Sequence, residues 1–313
     1  MIGYILRRLL ATAPVMLIVA VLVFLMLRLT PGDPAAIIAG DNANAEQIAA
    51  IRNRLGLDEP IVTQFFIWLG NLLRGDFGES FFFKKTVAEL IASRLEPTVA
   101  LSLFTIVLAV AIAVPLGVLA AHKQGTLIDK IVMGFSVLGF SVPVFVIGYS
   151  LIYLFSIKLN WLPVQGYQRI GEGFGGFLQR LILPSLTLAV IYVALIARMT
   201  RASMIDVLGE DYIRTARAKG QVEIKVLFRH ALKNAAVPIA TVIGLGIALL
   251  IGGVVVTESV FTIPGLGRLT VDAVLARDYP TIQAVILLFS FVYVLINLAV
   301  DVAYTLLDPR IRY

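Results

Sequence analysis

Apolar residues in this chain gather into six long runs separated by polar stretches. The runs cover residues 9–29, 98–121, 131–155, 181–197, 235–257 and 281–306. A helix needs about 20 apolar residues to cross the hydrocarbon core of a bilayer. None of the runs alternates apolar and polar positions as a barrel strand does, and only helices or closed barrels satisfy their backbone in lipid. The pattern therefore predicts an all-α integral membrane protein with six transmembrane helices. The fourth run is the shortest, with Pro184 near its start. Pro115 and Pro143 fall inside the second and third runs and are expected to kink them. Arg7 and Arg8 precede the first run, as they would in a signal peptide. That run is longer than a signal core of roughly 7–15 residues, and Leu27-Arg28-Leu29-Thr30-Pro31 closes it without a small-x-small cleavage site. It reads as a retained first helix.

The polar stretches carry their own elements. Residues 30–97 are too many for a structureless loop. Asn44 is placed as a helix N-cap, with a helix over residues 45–55 and Gly56 as its stop. Pro60 opens a second helix, in which Ile61, Val62, Phe65, Phe66, Leu69, Leu72 and Leu73 repeat at helical spacing. That helix lies on the membrane surface or packs against the bundle. Phe81-Phe82-Phe83 with Lys84-Lys85 is expected to anchor at the interface. The chain divides into residues 1–94 (first span and extracytoplasmic segment), 95–307 (a five-helix core containing the loop 198–238) and a short tail, 308–313.

Composition supports the membrane class: 59% of the 313 residues are apolar and only 15% are charged, against about 25% charged in soluble domains. The net charge is +6, and its distribution matters more than its sum. Between residues 198 and 238 there are eight basic and four acidic residues, whereas the stretch from Arg28 to Pro97 holds nine acidic and seven basic. By the positive-inside rule both termini face the cytoplasm. The charge thus reads as topology and implies no nucleic-acid partner.

With no cysteine, disulfides and thiolate metal sites are excluded. The two histidines, His122 and His230, lie in polar stretches, so no histidine centre sits at membrane depth. There is no G-x-x-x-x-G-K-[ST] phosphate loop and no catalytic triad or carboxylate pair, so the chain is read as a non-enzyme without a cofactor of its own. Ionisable groups within the runs are scarce, Asp301 being the main exception. Ion-coupled transporters use such groups or broken helices at mid-membrane, so the energy source is expected outside this chain.

The loop 198–238 is the most informative stretch. Residues 210–219 should form a short helix, acidic at its start and basic near its end as the helix dipole favours, with Gly220 ending it. Tyr212, Ile213 and Ala216 would share a face, with Arg214 and Arg217 nearby. Such a helix suits a groove on a cytosolic partner or anionic lipid, and spacing alone does not choose between them.

Glu210-Asp211-Tyr212-Ile213-Arg214-Thr215-Ala216-Arg217-Ala218-Lys219-Gly220 resembles the cytoplasmic loop of ABC-importer inner-membrane permeases, in the class serving dipeptides, oligopeptides, glutathione and nickel chelates. The likeness recurs along the chain: in Tyr4-Ile5-Leu6-Arg7-Arg8-Leu9, in Leu29-Thr30-Pro31-Gly32-Asp33-Pro34, in Gly75-Asp76-Phe77-Gly78-Glu79-Ser80 and in Leu183-Pro184-Ser185-Leu186-Thr187-Leu188. It continues in Glu258-Ser259-Val260-Phe261 with Pro264-Gly265-Leu266-Gly267, in Arg277-Asp278-Tyr279-Pro280 and in Asp308-Pro309. The broader permease pattern E-A-A-x-x-x-G is not kept, because Arg214, Thr215 and Ala216 stand in its first three places.

The resemblance implies a type I importer permease in a bacterial inner membrane. Its partners would be a second, homologous permease, two ATPase subunits that hold ATP and Mg, and an extracytoplasmic solute-binding protein, with lipid around it. Residues 210–220 would be the helix coupled to an ATPase. Gly244, Gly246, Gly252 and Gly253 in the fifth run serve helix packing, pore lining or both. Asp33, Pro264, Gly265 and Gly267 would lie in exposed turns where a binding protein touches. The implied cargo is short peptides, with glutathione or a nickel chelate as the alternatives within the same machinery. A secondary transporter or channel without an ATPase is the rival class.

Overall fold

The computed structural model describes residues 2–29, 33–39, 43–54, 56–80 and 82–307. Helix α1 (Ile2–Leu29) opens the chain, followed by α2 (Pro34–Ala39), α3 (Ala45–Arg54) and α4 (Ile61–Leu73). A two-strand hairpin, β1 (Glu79–Ser80) with β2 (Lys85–Thr86), leads into α5 (Val87–His122). Next come α6 (Leu127–Ser141), α7 (Val144–Leu151) with a π-helical extension over Ile152–Lys158, and α8 (Phe174–Leu208). Helices α9 (Asp211–Ala218) and α10 (Glu223–Lys225) then precede a π-helical turn over Val226–Ala231. The chain closes with α11 (Leu232–Val260), α12 (Leu266–Leu275) and α13 (Tyr279–Leu307).

Among the described residues, five helices are long and apolar enough to cross a membrane: those containing the first, second, fourth, fifth and sixth predicted runs. The third run corrects the sequence reading. It forms two apolar helices, Leu127–Ser141 and Val144–Lys158, bent by 106° at the break between them. Pro143 breaks this helix instead of kinking it. The residue before a proline is pushed out of the helical region, and Val142 is extended at φ −95°, ψ 125°. Pro143 then caps the start of α7 with ψ 139°. The fourth run, the shortest in apolar length, belongs to a 35-residue helix that carries Pro184 within it. Its polar ends, including Gln179, Arg198, Arg201 and Asp206, hid that length.

Two compact units make up the chain: residues 1–96 with 265–295, and residues 97–264 with 296–313. In the first unit the two predicted short helices form. Asn44 and Gln47 cap α3 reciprocally, Gln47 N–H donating to Asn44 Oδ1 at 2.8 Å and Asn44 N–H to Gln47 Oε1 at 3.0 Å. Pro60 stands at the start of α4. This second helix packs against α1, with Phe24 edge-on to Phe65 at 5.2 Å between centroids. Of the expected interfacial anchor, Phe81 lies outside the described residues, Phe82 is exposed, and Phe83 packs with Leu90, Leu266 and Leu269.

The second unit is built on α8. Its apolar stretch is 67% buried, against 39% in α11, 33% in α5, 22% in α1 and 11% in α13, which marks α8 as the central helix. It packs against α6, α7 and α11 around Leu181, Leu188, Tyr192 and Ile196. At its crossing with α5 a Cβ on Gly117 would fall 2.5 Å from Thr200 Cβ and 2.7 Å from the Ala197 carbonyl oxygen. Only glycine allows that approach.

Candidate functional site

The loop between α8 and α11 is set by local chemistry. Glu210 takes an extended conformation (φ −72°, ψ 146°) and caps α9. Gly220, at φ +75°, ends the turn in a conformation that side chains disfavour. The expected helix and its stop are both present.

Three contacts fix α9 to its own unit. Ile213 is fully buried among Val118, Ala121, Met204, Val226 and Ala231, and Ala216 packs beside it. Tyr212 Oη accepts a hydrogen bond from Asn234 Nδ2 at 2.7 Å. Arg217 grips Glu223 with two bonds, of 2.7 and 3.2 Å. These bonds hold the Arg217 guanidinium above its ordinary pKa. Glu223 also lies 3.6 Å from His122 Nδ1 at the end of α5. The structure therefore splits the face that the sequence grouped. Ile213 and Ala216 turn inward, whereas Asp211, Arg214, Thr215, Ala218 and Lys219 remain exposed. The Arg214 and Asp211 side chains are 73% and 95% exposed, and they pair across one turn at 3.3 Å. α9 thus presents a polar outer face on a rigid inner mount.

The four glycines of α11 separate into two groups. A Cβ on Gly244 would sit 2.2 Å from Val300 Cγ2 of α13; on Gly253, 3.1 Å from Leu188 Cδ2; on Gly246, 3.3 Å from Tyr192 Cδ1. These three let neighbouring helices approach. Gly252 meets nothing within 4 Å. It sits in an exposed stripe of α11 with Pro238, Thr241, Leu245, Leu249, Val256 and Ser259. The stripe carries no charge.

Of the four residues expected in exposed turns, Pro264 is exposed, but Gly265 and Gly267 are buried. The expected turn-rich loop is instead the start of α12, where Leu266 and Leu269 pack with Leu90 and Val285. Asp33 is half-buried. Its Oδ1 accepts the Ala35 N–H at 3.1 Å, and Arg52 donates to its Oδ2 at 2.6 Å. The neighbouring Pro31 and Gly32, and the tail 308–313, lie outside the described residues.

Sequence reasoning missed three buried carboxylates that stand just beyond the ends of the apolar runs. Asp129 of α6 receives both arms of Arg201 of α8 at 2.5 and 2.8 Å. Glu258 has no exposed surface and accepts from Thr98 Oγ1 at 2.5 Å. Asp278 takes the Ser80 and Thr281 hydroxyls on one oxygen at 2.5 and 2.6 Å. Glu258 escaped because α11 runs three residues past its apolar run. The others escaped because Arg201 and Ser80, which donate to them, stand 72 and 198 positions away. The one available signal was that Ser80, Glu258 and Asp278 all fall in the quoted motif segments.

Five long apolar helices and a bent apolar pair, with a polar helix mounted on the loop between α8 and α11, define a multi-pass helical membrane protein. The chain belongs to the family described as binding-protein-dependent transport system inner membrane component, whose profile matches residues 113–313. The profile of that system's N-terminal membrane component matches residues 1–102. It is therefore the inner-membrane permease of an ABC importer, with ATP hydrolysis carried by partner subunits. It is 57% identical over 310 residues to a probable peptide ABC transporter permease protein, y4tP, of Sinorhizobium fredii, covering 99% of each chain. It is 47% identical over 313 residues to the glutathione transport system permease protein GsiC of Escherichia coli K12, covering 100% of each. An inward-facing MetNI methionine ABC transporter structure superposes with a TM-score of 0.56 at 18% identity, over 70% of this chain and 96% of the other. That likeness establishes the type I permease fold.

Proposed function

We propose that this chain is one of two homologous permeases forming the pathway of an importer for short peptides. Two cytosolic ATPases and an extracytoplasmic binding protein would complete the assembly, with ATP and Mg held by the ATPases and both termini in the cytoplasm. The peptide permease at 57% identity supports the cargo. The glutathione permease supports the alternative, a modified tripeptide carried by the same machinery.

The observation that carries the mechanism is the mounting of α9. Ile213, Tyr212 and Arg217 tie it to α5, α10 and α11, so a displacement of α9 moves the helices beneath it. Residues 210–220 would seat in a cleft of one ATPase through Arg214 and its exposed neighbours. Closure of the ATPase pair would favour one of two arrangements of the helices, and hydrolysis the other. The uncharged stripe of α11 around Gly252 would line the pathway. It offers no fixed charge to discriminate among side chains, which suits varied peptides and leaves selection to the binding protein. Asp33 and the stretch Pro264-Gly265-Leu266-Gly267, exposed at Pro264, would contact that protein.

The test is purification of this chain from its native membrane in mild detergent, followed by ATPase assay. Two ATPases and a second permease should co-purify, and peptide-loaded binding protein should raise hydrolysis more than the glutathione-loaded form. Recovery of the chain alone would move the weight to a transporter that works without an ATPase.

A further inference from the structure

The first unit contains a cleft of about 470 Å³ that no transport step above uses. Arg28, in the last turn of α1, lines it together with Gln64, Ile67, Trp68, Asp76 and Gln283. We propose that this cleft binds the phosphate of a phospholipid headgroup at Arg28, at the membrane surface reached by the C-terminal end of α1.

The guanidinium is held for such a task. Its Nε and Nη2 donate to Gln64 Oε1 at 3.1 and 3.0 Å, and Nη1 donates to the Phe24 carbonyl at 3.2 Å. The Phe24 ring lies beneath it, 3.6 Å from the guanidinium carbon. Gln64 is itself locked, donating to the Leu57 and Glu59 carbonyls at 3.2 and 2.8 Å. Among the described residues no carboxylate pairs with Arg28. Its fixed partners are an amide, a backbone carbonyl and a ring, all neutral. A half-buried cation without a counter-charge is costly, and two of its five N–H donors remain for a ligand. Planar, two-pronged donation is the geometry that recognises phosphate oxygens.

The surroundings select lipid over a soluble anion. α1 carries no charge between Arg8 and Arg28, and Leu22 and Leu29 are 63% and 76% exposed. α4 carries no charge and exposes Ile61, Val62, Phe66 and Ile67. Ile67 both lines the cleft and faces outward. Acyl chains would run over these residues while the headgroup phosphate sits at Arg28, in a polar recess that Asp76 and Glu79 also line. Trp68, at the same level, is the side chain expected at a membrane interface.

The test uses the assembled importer purified in mild detergent, with bound phospholipid counted by native mass spectrometry. Arg28→Gln should lose about one phospholipid per chain, and Arg28→Lys should retain it in part. Ile67→Glu should evict the same lipid by placing an anion on the rim. Added phospholipid should raise the Tm of the wild-type assembly and leave Arg28→Gln unmoved. Equal lipid occupancy in wild type and in a folded Arg28→Gln or Ile67→Glu assembly would overturn the proposal. An equal Tm shift from inorganic phosphate alone would overturn the lipid assignment in favour of a free-anion site.

Discussion

Helices α9 and α12 have eight and ten residues, and each lies between two apolar spans. α9 buries one side chain completely, Ile213, and leaves most of its surface polar and exposed. α12 buries Leu266, Gly267, Leu269 and Ala273 and exposes chiefly its end, at Val274 and Leu275. The first is a mounted handle, rigid beneath and open above. The second is an internal brace, holding the hairpin side of its unit through Leu90 and Phe83. Short linking helices in this permease therefore follow two designs, and the burial of their apolar positions tells them apart.

Substitutions on the two helices sharpen that contrast. The largest effect is expected from Ile213→Asp, which places an unpaired carboxylate in the cluster of Val118, Met204 and Val226. The cost is about 3 kcal/mol or more, read as a lowered unfolding temperature in detergent and loss of the folded loop. Leu269→Ala, at a position with no exposed surface, should cost roughly 2–5 kcal/mol by leaving a cavity. It should lower the Tm comparably while sparing any ATPase contact. Were Leu269→Ala neutral, α12 would not be the brace described. Tyr212→Phe removes only the acceptor for Asn234 and should cost about 0.5–1.5 kcal/mol, measured on the same melting curve.

What the sequence revealed follows the range of the interactions. α9 was legible because its determinants are local: acids at its start, bases near its end and a glycine stop. α3 was legible for the same reason, through Asn44 and Gly56. The inward turn of Ile213 was not, since its neighbours come from α5, α8 and the turn before α11. α12 was hidden because Pro264, Gly265 and Gly267 signal a turn at short range, while the burial of Leu266 and Leu269 depends on Leu90 and Val285 far along the chain. The third span shows a different failure. Apolar length was read correctly, but the conformation forced on Val142 by Pro143 outweighed helix continuity. The burial of Asp129 and Asp278 was hidden because Arg201 and Ser80, which donate to them, stand far away along the chain.

The smallest effect on the fold, and the most informative one on function, is expected from Arg214→Glu. The side chain is 73% exposed, and its pairing with Asp211 is of the surface kind, worth about 0–1 kcal/mol. Reversal should leave the Tm of the purified chain within about 0.5 kcal/mol of wild type. Arg217 is less suitable for this purpose, because it grips Glu223 and its loss would disturb the mount itself. If the outer face of α9 seats in an ATPase, Arg214→Glu should abolish ATPase co-purification or solute-stimulated hydrolysis while the chain inserts normally. Restoring the charge with Lys should recover part of the association, because a point charge replaces the guanidinium without its two-pronged geometry. A surface used only against anionic lipid would respond differently: co-purification would survive the reversal, and only retained lipid would fall. Because Ile213→Asp disables both uses through the mount, the pair of variants separates the handle from what it is mounted on.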